Sequence, residues 1–259
     1  MYKKRVKIGL VCASLFCSIV EAHATIKDVH EIIDICTSSE RIMKDYALIG
    51  MRIVYHNPQK DLEKTISKLD EDMSKLEANP LSKKLHKEEV ELQHIWDKLE
   101  KQLKQTPNKG NALQLRHHID DFAKRCELVA DDLAQDTGQM AESAIVHIAN
   151  LDLDVQELAG DYIMKAWDTI GDEEYYDDVK IVKNDYQKEY HLLEDAKGDI
   201  VPEKVKKHLK MLDRHFVMFE FMLESHSGRY VPLLIAKKAD KIHKETINIL
   251  NEDEREEEK

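Results

Sequence analysis

Glycine and proline are scarce, at eight and five residues in a chain of 259. Strands joined by tight turns draw on both residue types at their corners, so this composition excludes a sheet-rich fold and favours helices. No segment alternates apolar and polar residues with period two for long enough to form a strand. Long apolar runs are also lacking. The one candidate, residues 8–20, is about half the roughly 20 residues that a spanning helix needs, and no second one follows. Basic clusters are few: Lys83-Lys84 and Lys237-Lys238 are local pairs among acids, which excludes a nucleic-acid partner. A Gly-rich phosphate loop, a G-x-S-x-G elbow and a paired-cysteine zinc pattern are all absent. Carboxylates are so abundant that no acid-base pair stands out, and the expectation is a non-enzyme with no catalytic residues and no cofactor.

What is present begins with an export signal. Lys3, Lys4, Arg5 and Lys7 precede the apolar run, and Ala22-His23-Ala24 places small residues where a signal peptidase reads. Residues 1–24 are therefore expected to be removed, leaving a soluble chain that starts at Thr25 in the periplasm or outside the cell. A lipoprotein anchor at Cys17 is disfavoured by Phe16, which stands where a small residue belongs. Removal takes away four basic residues and Glu21, moving the net charge from -12 to -15. Cys36 and Cys126 remain. In an oxidising compartment they either pair or stay as buried thiols. The acidic stretch 251–259 reads as a solvated tail.

Apolar residues recur at spacings of three and four, as in Leu62, Ile66, Leu69, Met73 and Leu76, and again in Leu92, Trp96, Leu99 and Leu103. Breakers mark the corners at Asn57-Pro58, Asn79-Pro80, residues 106–110, Gly171-Asp172, residues 197–202 and Ser227-Gly228. Between Gly110 and Gly171 the interruptions are Gly138 and Gly160, so one long helix or two nearly collinear helices are expected there. An internal repeat is also legible. Residues 41–48 match 157–164 at an offset of 116, keeping Asp45-Tyr46 as Asp161-Tyr162. Three further matches follow in the same order, at offsets of 113, 120 and 120. The expected fold is thus all-α, an up-and-down helical bundle of two tandem helical-hairpin repeats, residues 25–135 and 136–250, packed as one domain.

Around Arg41-Ile42-Met43-Lys44-Asp45-Tyr46 and Glu157-Leu158-Ala159-Gly160-Asp161-Tyr162 the chain resembles the N-terminal sensor domain of type IV pilus methyl-accepting chemotaxis transducers, which is related to the sensor domains of nitrate-sensing kinases. The resemblance covers roughly residues 28–250. It implies an extracytoplasmic, dimeric ligand-sensing bundle in which motif arginines hold a small anion between subunits. Here one motif arginine is kept as Arg41, while its counterpart is Glu157 and the other two positions fall on Cys36 and Asp152. Carboxylates there repel an anion that a guanidinium would hold.

The candidate ligand-binding residues are Arg41, Asp45, Tyr46, Asp161, Tyr162 and Trp167. The rings either line a cleft or pack in the core; the aspartates either hold a cation or polar ligand, or face water or a lysine. Glu91 and His94 have one E-x-x-H spacing with no second copy, so no metal site is assigned. Two functions remain open: a sensing module that binds a small ligand and reports to a membrane-bound signalling protein, and an adaptor bundle that binds another protein.

Export carries its own test. Intact mass of the protein from an envelope fraction should correspond to a chain that starts at Thr25, whereas retained Met1 or an acylated Cys17 would overturn it.

Overall fold

The computed structural model describes residues 25–78, 85–224 and 230–257, with side chains given as far as Asn251. The expected leader and the turns at Asn79-Pro80 and Ser227-Gly228 lie outside the described residues. Eight helices and no strand occur among those that are described: α1 (Ile26–Gly50), α2 (Pro58–Ala78), α3 (His86–Leu103), α4 (Lys109–Thr137), α5 (Met140–Ala166), α6 (Asp172–Asp195), α7 (Glu203–Leu223) and α8 (Pro232–Glu257). The fold is an all-α helical bundle. Its last helix continues to Glu257, past the expected end of the second unit at 250.

Local chemistry sets the ends. Thr25 caps α1 in a capping box with Asp28. Asn57 accepts from the Lys60 amide at 3.1 Å to open α2, with Pro58 as its first residue. Asn108 accepts from the Asn111 amide at 3.1 Å to open α4. The expectation of collinear helices across the middle is corrected here. Gly138, at φ 71°, ends α4 in a left-handed turn. The chain then reverses, so that Arg116 near the start of α4 meets Asp161 near the end of α5.

Consecutive helices run antiparallel, and four of them return the chain to its starting direction. In consequence α5 lies parallel to α1, and these two form the centre of the bundle. Both stop alike. Arg52 and Asp168, 116 residues apart, take positive φ of 58° and 60°. The next amides close back on the helices, Ile53 to the Leu48 carbonyl at 2.9 Å and Thr169 to the Met164 carbonyl at 3.1 Å. The Tyr46 hydroxyl accepts from the Asn108 amide before α4, and that of Tyr162 from the Val231 amide before α8. Each pins the foot of the central helix to the head of its antiparallel neighbour.

The halves differ in what ties those neighbours together. Cys36 and Cys126 form a disulfide between α1 and α4, with Cα atoms 5.5 Å apart and 90 residues enclosed. On the chain-entropy account a loop of that length contributes about 4 kcal/mol. In the other half Asp152, fully buried on α5, pairs with His243 of α8 at 2.5 Å and accepts from Gln156 at 3.1 Å. Buried Lys44 reaches across from α1 to Asp240 of α8 and to Gln156 at 3.3 Å, which satisfies an ammonium that would otherwise be stranded in the core.

Close approach of α1 to α5 rests on two glycines. A Cβ on Gly160 would sit 3.2 Å from that of Met43, and one on Gly50 would overlap the indole of Trp167. Gly50→Ala should therefore lower stability to denaturant by about 1–3 kcal/mol, although alanine outranks glycine within a helix by about 1 kcal/mol. In a Trp167→Phe background, where the overlapping ring atoms are gone, the same change should be near neutral. Equal costs in both backgrounds would show that the two helices are not held this tightly.

Candidate functional site

Two hollows flank the central pair. The first is a cleft of about 560 Å³ between α4, α5 and α6. The second is a groove of about 760 Å³ between α1, α2 and α8. They occupy matching places in the two halves, since Asp154 and Glu157 in the cleft stand 116 residues from Ser38 and Arg41 in the groove.

Their chemistry is opposed. Ten of the seventeen residues lining the cleft are Asp or Glu, against Arg116, Lys124 and Lys188 as permanent cations. Arg116 is already committed. It forks onto Asp161 with Nε–Oδ1 2.5 Å and Nη2–Oδ2 3.0 Å, and reaches Asp178 at 2.8 Å. Burial raises the carboxyls of Asp154 and Glu157, and each is raised further by the acids beside it. Glu127 is pushed to about 7 by burial and then by Asp131. Behind this wall Glu40 of α1, 3 % exposed, is raised by burial and by Glu157, Asp120 and Glu127. His147 is raised too, by its bond to Glu189 before burial is counted.

The groove carries Arg41, Lys27 and Lys68 with His30 and His243, set against Glu31 and Asp34. Lys68 pairs with Asp34 at 3.1 Å. The Nε of Arg41 is shut away from solvent without a hydrogen-bond partner.

The six sequence candidates are thus dispersed. Arg41 lines the groove. Asp45, one turn along α1, is buried and lifted to about 6 by that burial, with Lys44 and Arg41 pulling the other way. Asp161 lies behind the cleft, held by Arg116. The rings pack in the core: Tyr46 meets Trp167 edge to face at 6.2 Å between centroids, and Tyr162 meets Tyr230 at 5.6 Å. Neither hollow is lined by these three rings. Glu91 of the E-x-x-H spacing pairs with Arg125, and no group of three or more His, Cys, Asp or Glu placed to hold a metal ion occurs among the described residues.

Arg116 and Glu40 were missed, although a signal existed. Ala112, Leu115, Ile119 and Phe122 mark the buried stripe of α4, and Arg116 falls on it. Glu40 falls between Cys36 and Met43 on the stripe of α1. A charge inside an apolar stripe must be paired or turned toward a cavity.

Comparison of the chain with protein-family models, with curated proteins and with solved structures finds no match. The reading of the two hollows rests on their own chemistry.

The raised carboxyls fix the sign of the pH dependence. A group that binds its proton more tightly when folded contributes stability fully below its unfolded pKa, about 4 for these acids, and loses it as pH rises through the folded value. Glu127 and Asp45 place that loss between about 4 and 7; Asp154, Glu157 and Glu40 shift the same way, and so does His147 above its own ordinary value. Asp240, pulled down by Lys44 against the burial that raises it, acts at lower pH. The melting temperature of the ligand-free mature protein should fall from about pH 5 to about pH 8, and Glu157→Gln should flatten the slope. A melting temperature that rises over that range would refute this electrostatic picture.

Proposed function

We propose that the chain is an exported, non-enzymatic ligand-binding bundle of the sensor type, which takes a small anion in the α1–α2–α8 groove and acts on a membrane-bound signalling partner. The observation that carries this reading is Arg41. A guanidinium N–H buried without an acceptor is costly, and here it borders a hollow of small-molecule size with Lys27, Lys68 and two histidines nearby. A carboxylate or nitrate-like anion supplies the planar acceptor that such a donor lacks.

Export is supported by the Cys36–Cys126 disulfide, a bond that persists in oxidising compartments. Reporting to a separate membrane protein fits the finding that no helix among the described residues is long and apolar enough to cross a bilayer. Descent of the two halves from tandem copies is supported by the matching helix stops at Arg52 and Asp168 and the matching tyrosine bonds. The likeness to pilus chemotaxis transducer sensors belongs to this proposal and rests on the repeated Asp-Tyr motif.

A second reading, an adaptor that binds a protein, perhaps a second copy of itself, draws on the outer face of α7, where Val217, Met218 and Phe221 are exposed. Apolar side chains grouped on one face of a helix are a common mark of an interface.

Thermal-shift and calorimetric titrations with small carboxylates and nitrate decide between these. Arg41→Ala should abolish anion-induced stabilisation while leaving the unliganded melting temperature nearly unchanged, and Arg41→Lys should weaken it, because lysine keeps the charge and loses the planar fork. Absence of any anion effect on the parent would end the sensor reading in this form and leave the adaptor ahead.

A further inference from the structure

A polar wall of carboxylates is by itself an ordinary solvated surface, but the cleft between α4, α5 and α6 is closed off at its back by groups that water does not reach. Glu40 of α1 is 3 % exposed, makes no hydrogen bond or ion pair with a described residue, and faces the charges of Glu157, Asp120 and Glu127. On the cleft wall itself the Oδ2 of Asp154 is buried and has no partner. Two acceptors are thus withheld from solvent and from the protein, on two different helices, around one hollow.

The shape of the acidic row narrows the chemistry of what would satisfy them. On α4 the lining residues Arg116, Asp120, Lys124, Glu127 and Asp131 follow one helix face, a row that extends about 22 Å at the α-helical rise. No three ligands converge as a metal ion requires among the described residues, so the negative charge is distributed along a line and is not focused at a point. A ring-lined box, the usual receptor for quaternary ammonium groups, is absent from the lining; the acceptors call for N–H donors. On the opposite wall Ile181 and Val182 of α6 place an apolar strip beside the acids. A cavity of about 560 Å³ accommodates a small molecule.

We propose that this cleft binds a linear aliphatic polyamine, whose spaced ammonium groups donate to Asp154, Glu157 and their neighbours along α4 while its methylene segments lie on Ile181 and Val182. Glu40 supplies the deepest acceptor and draws one ammonium toward α1. The site is separate from the Arg41 groove, across the central pair of helices, and does not depend on the anion reading.

Isothermal titration calorimetry of the mature protein with spermidine at neutral pH and physiological salt tests it. Saturable binding with stabilisation in thermal shift is expected. Glu40→Gln together with Asp154→Asn, which keep volume and remove charge, should weaken spermidine binding about tenfold or more while raising the melting temperature of the unliganded protein, a combination that misfolding cannot mimic. Arg41→Ala should bind spermidine as the parent does, so loss of the anion site and loss of this one are read independently. The proposal is overturned if spermidine gives no more than sodium chloride at equal ionic strength, if magnesium or calcium binds as tightly as spermidine, or if the double variant binds spermidine unchanged.

Discussion

Everything in this bundle depends on how closely α1 and α5 lie. Gly160 against Met43 and Gly50 against the Trp167 ring let the two parallel helices approach, and other helices then close around them. A helix enclosed in this way has little solvent-facing side on which to place polar residues. Yet α1 buries Ser39, Glu40, Lys44 and Asp45, and α5 buries Asp152, Gln156 and Asp161. Each must find a partner inside the protein or face a hollow. Lys44, Gln156 and Asp152 do the first, in a chain that runs from Asp240 to His243 across three helices. Glu40 and the Nε of Arg41 do the second. The hollows are therefore a consequence of the central crossing, set where its polar residues had no neighbour to meet.

How much of this was legible in the sequence follows from the range of the interactions. The helices and most of their ends depend on residues a turn apart, and Asn57-Pro58, Asn108 and Gly171 are visible as local signals. The stops at Arg52 and Asp168 carry no glycine, and their left-handed turns are imposed by the closing amide bonds of Ile53 and Thr169. The reversal at Gly138 was seen as an interruption without its geometry, because one glycine inside a helical pattern is compatible with continuation, a kink or a stop. Which helices lie side by side is not local at all. Pairing of Cys36 with Cys126 needs α1 beside α4, and the fork of Arg116 onto Asp161 needs α4 folded back on α5.

The same range explains why the candidate residues scattered. Asp-Tyr was conspicuous because it occurs twice, and repetition was taken to favour ligand contact. In the fold the repeated tyrosines repeat a structural bond, holding the amides that precede α4 and α8. What differs between the halves, Arg41 in place of Glu157 and Ser38 in place of Asp154, is what gives the two hollows their character. In a repeated architecture the common residues build the frame and the divergent ones distinguish the sites.

That divergence has an energetic signature. Elsewhere the core is self-consistent: Tyr186 stacks on Phe216 with ring centroids 3.5 Å apart, Trp96 donates to Asp70 at 2.7 Å, and buried Thr37 and Ser39 return their hydroxyls to the backbone of α1. Along the cleft the pattern reverses. Carboxylates are gathered where burial and mutual repulsion oppose their ionisation, and the one fully enclosed cation, Arg116, is shared among Asp161, Asp178 and Glu174. Burying like charges together lowers the stability of the folded chain, and replacing several of them by neutral residues of equal volume would relieve it. A fold that carries such a local conflict while its other layers agree is doing so at a place where another requirement outweighs stability. A row of acids facing a hollow, with acceptors left open behind it, satisfies that condition when the missing positive charge arrives from outside the chain.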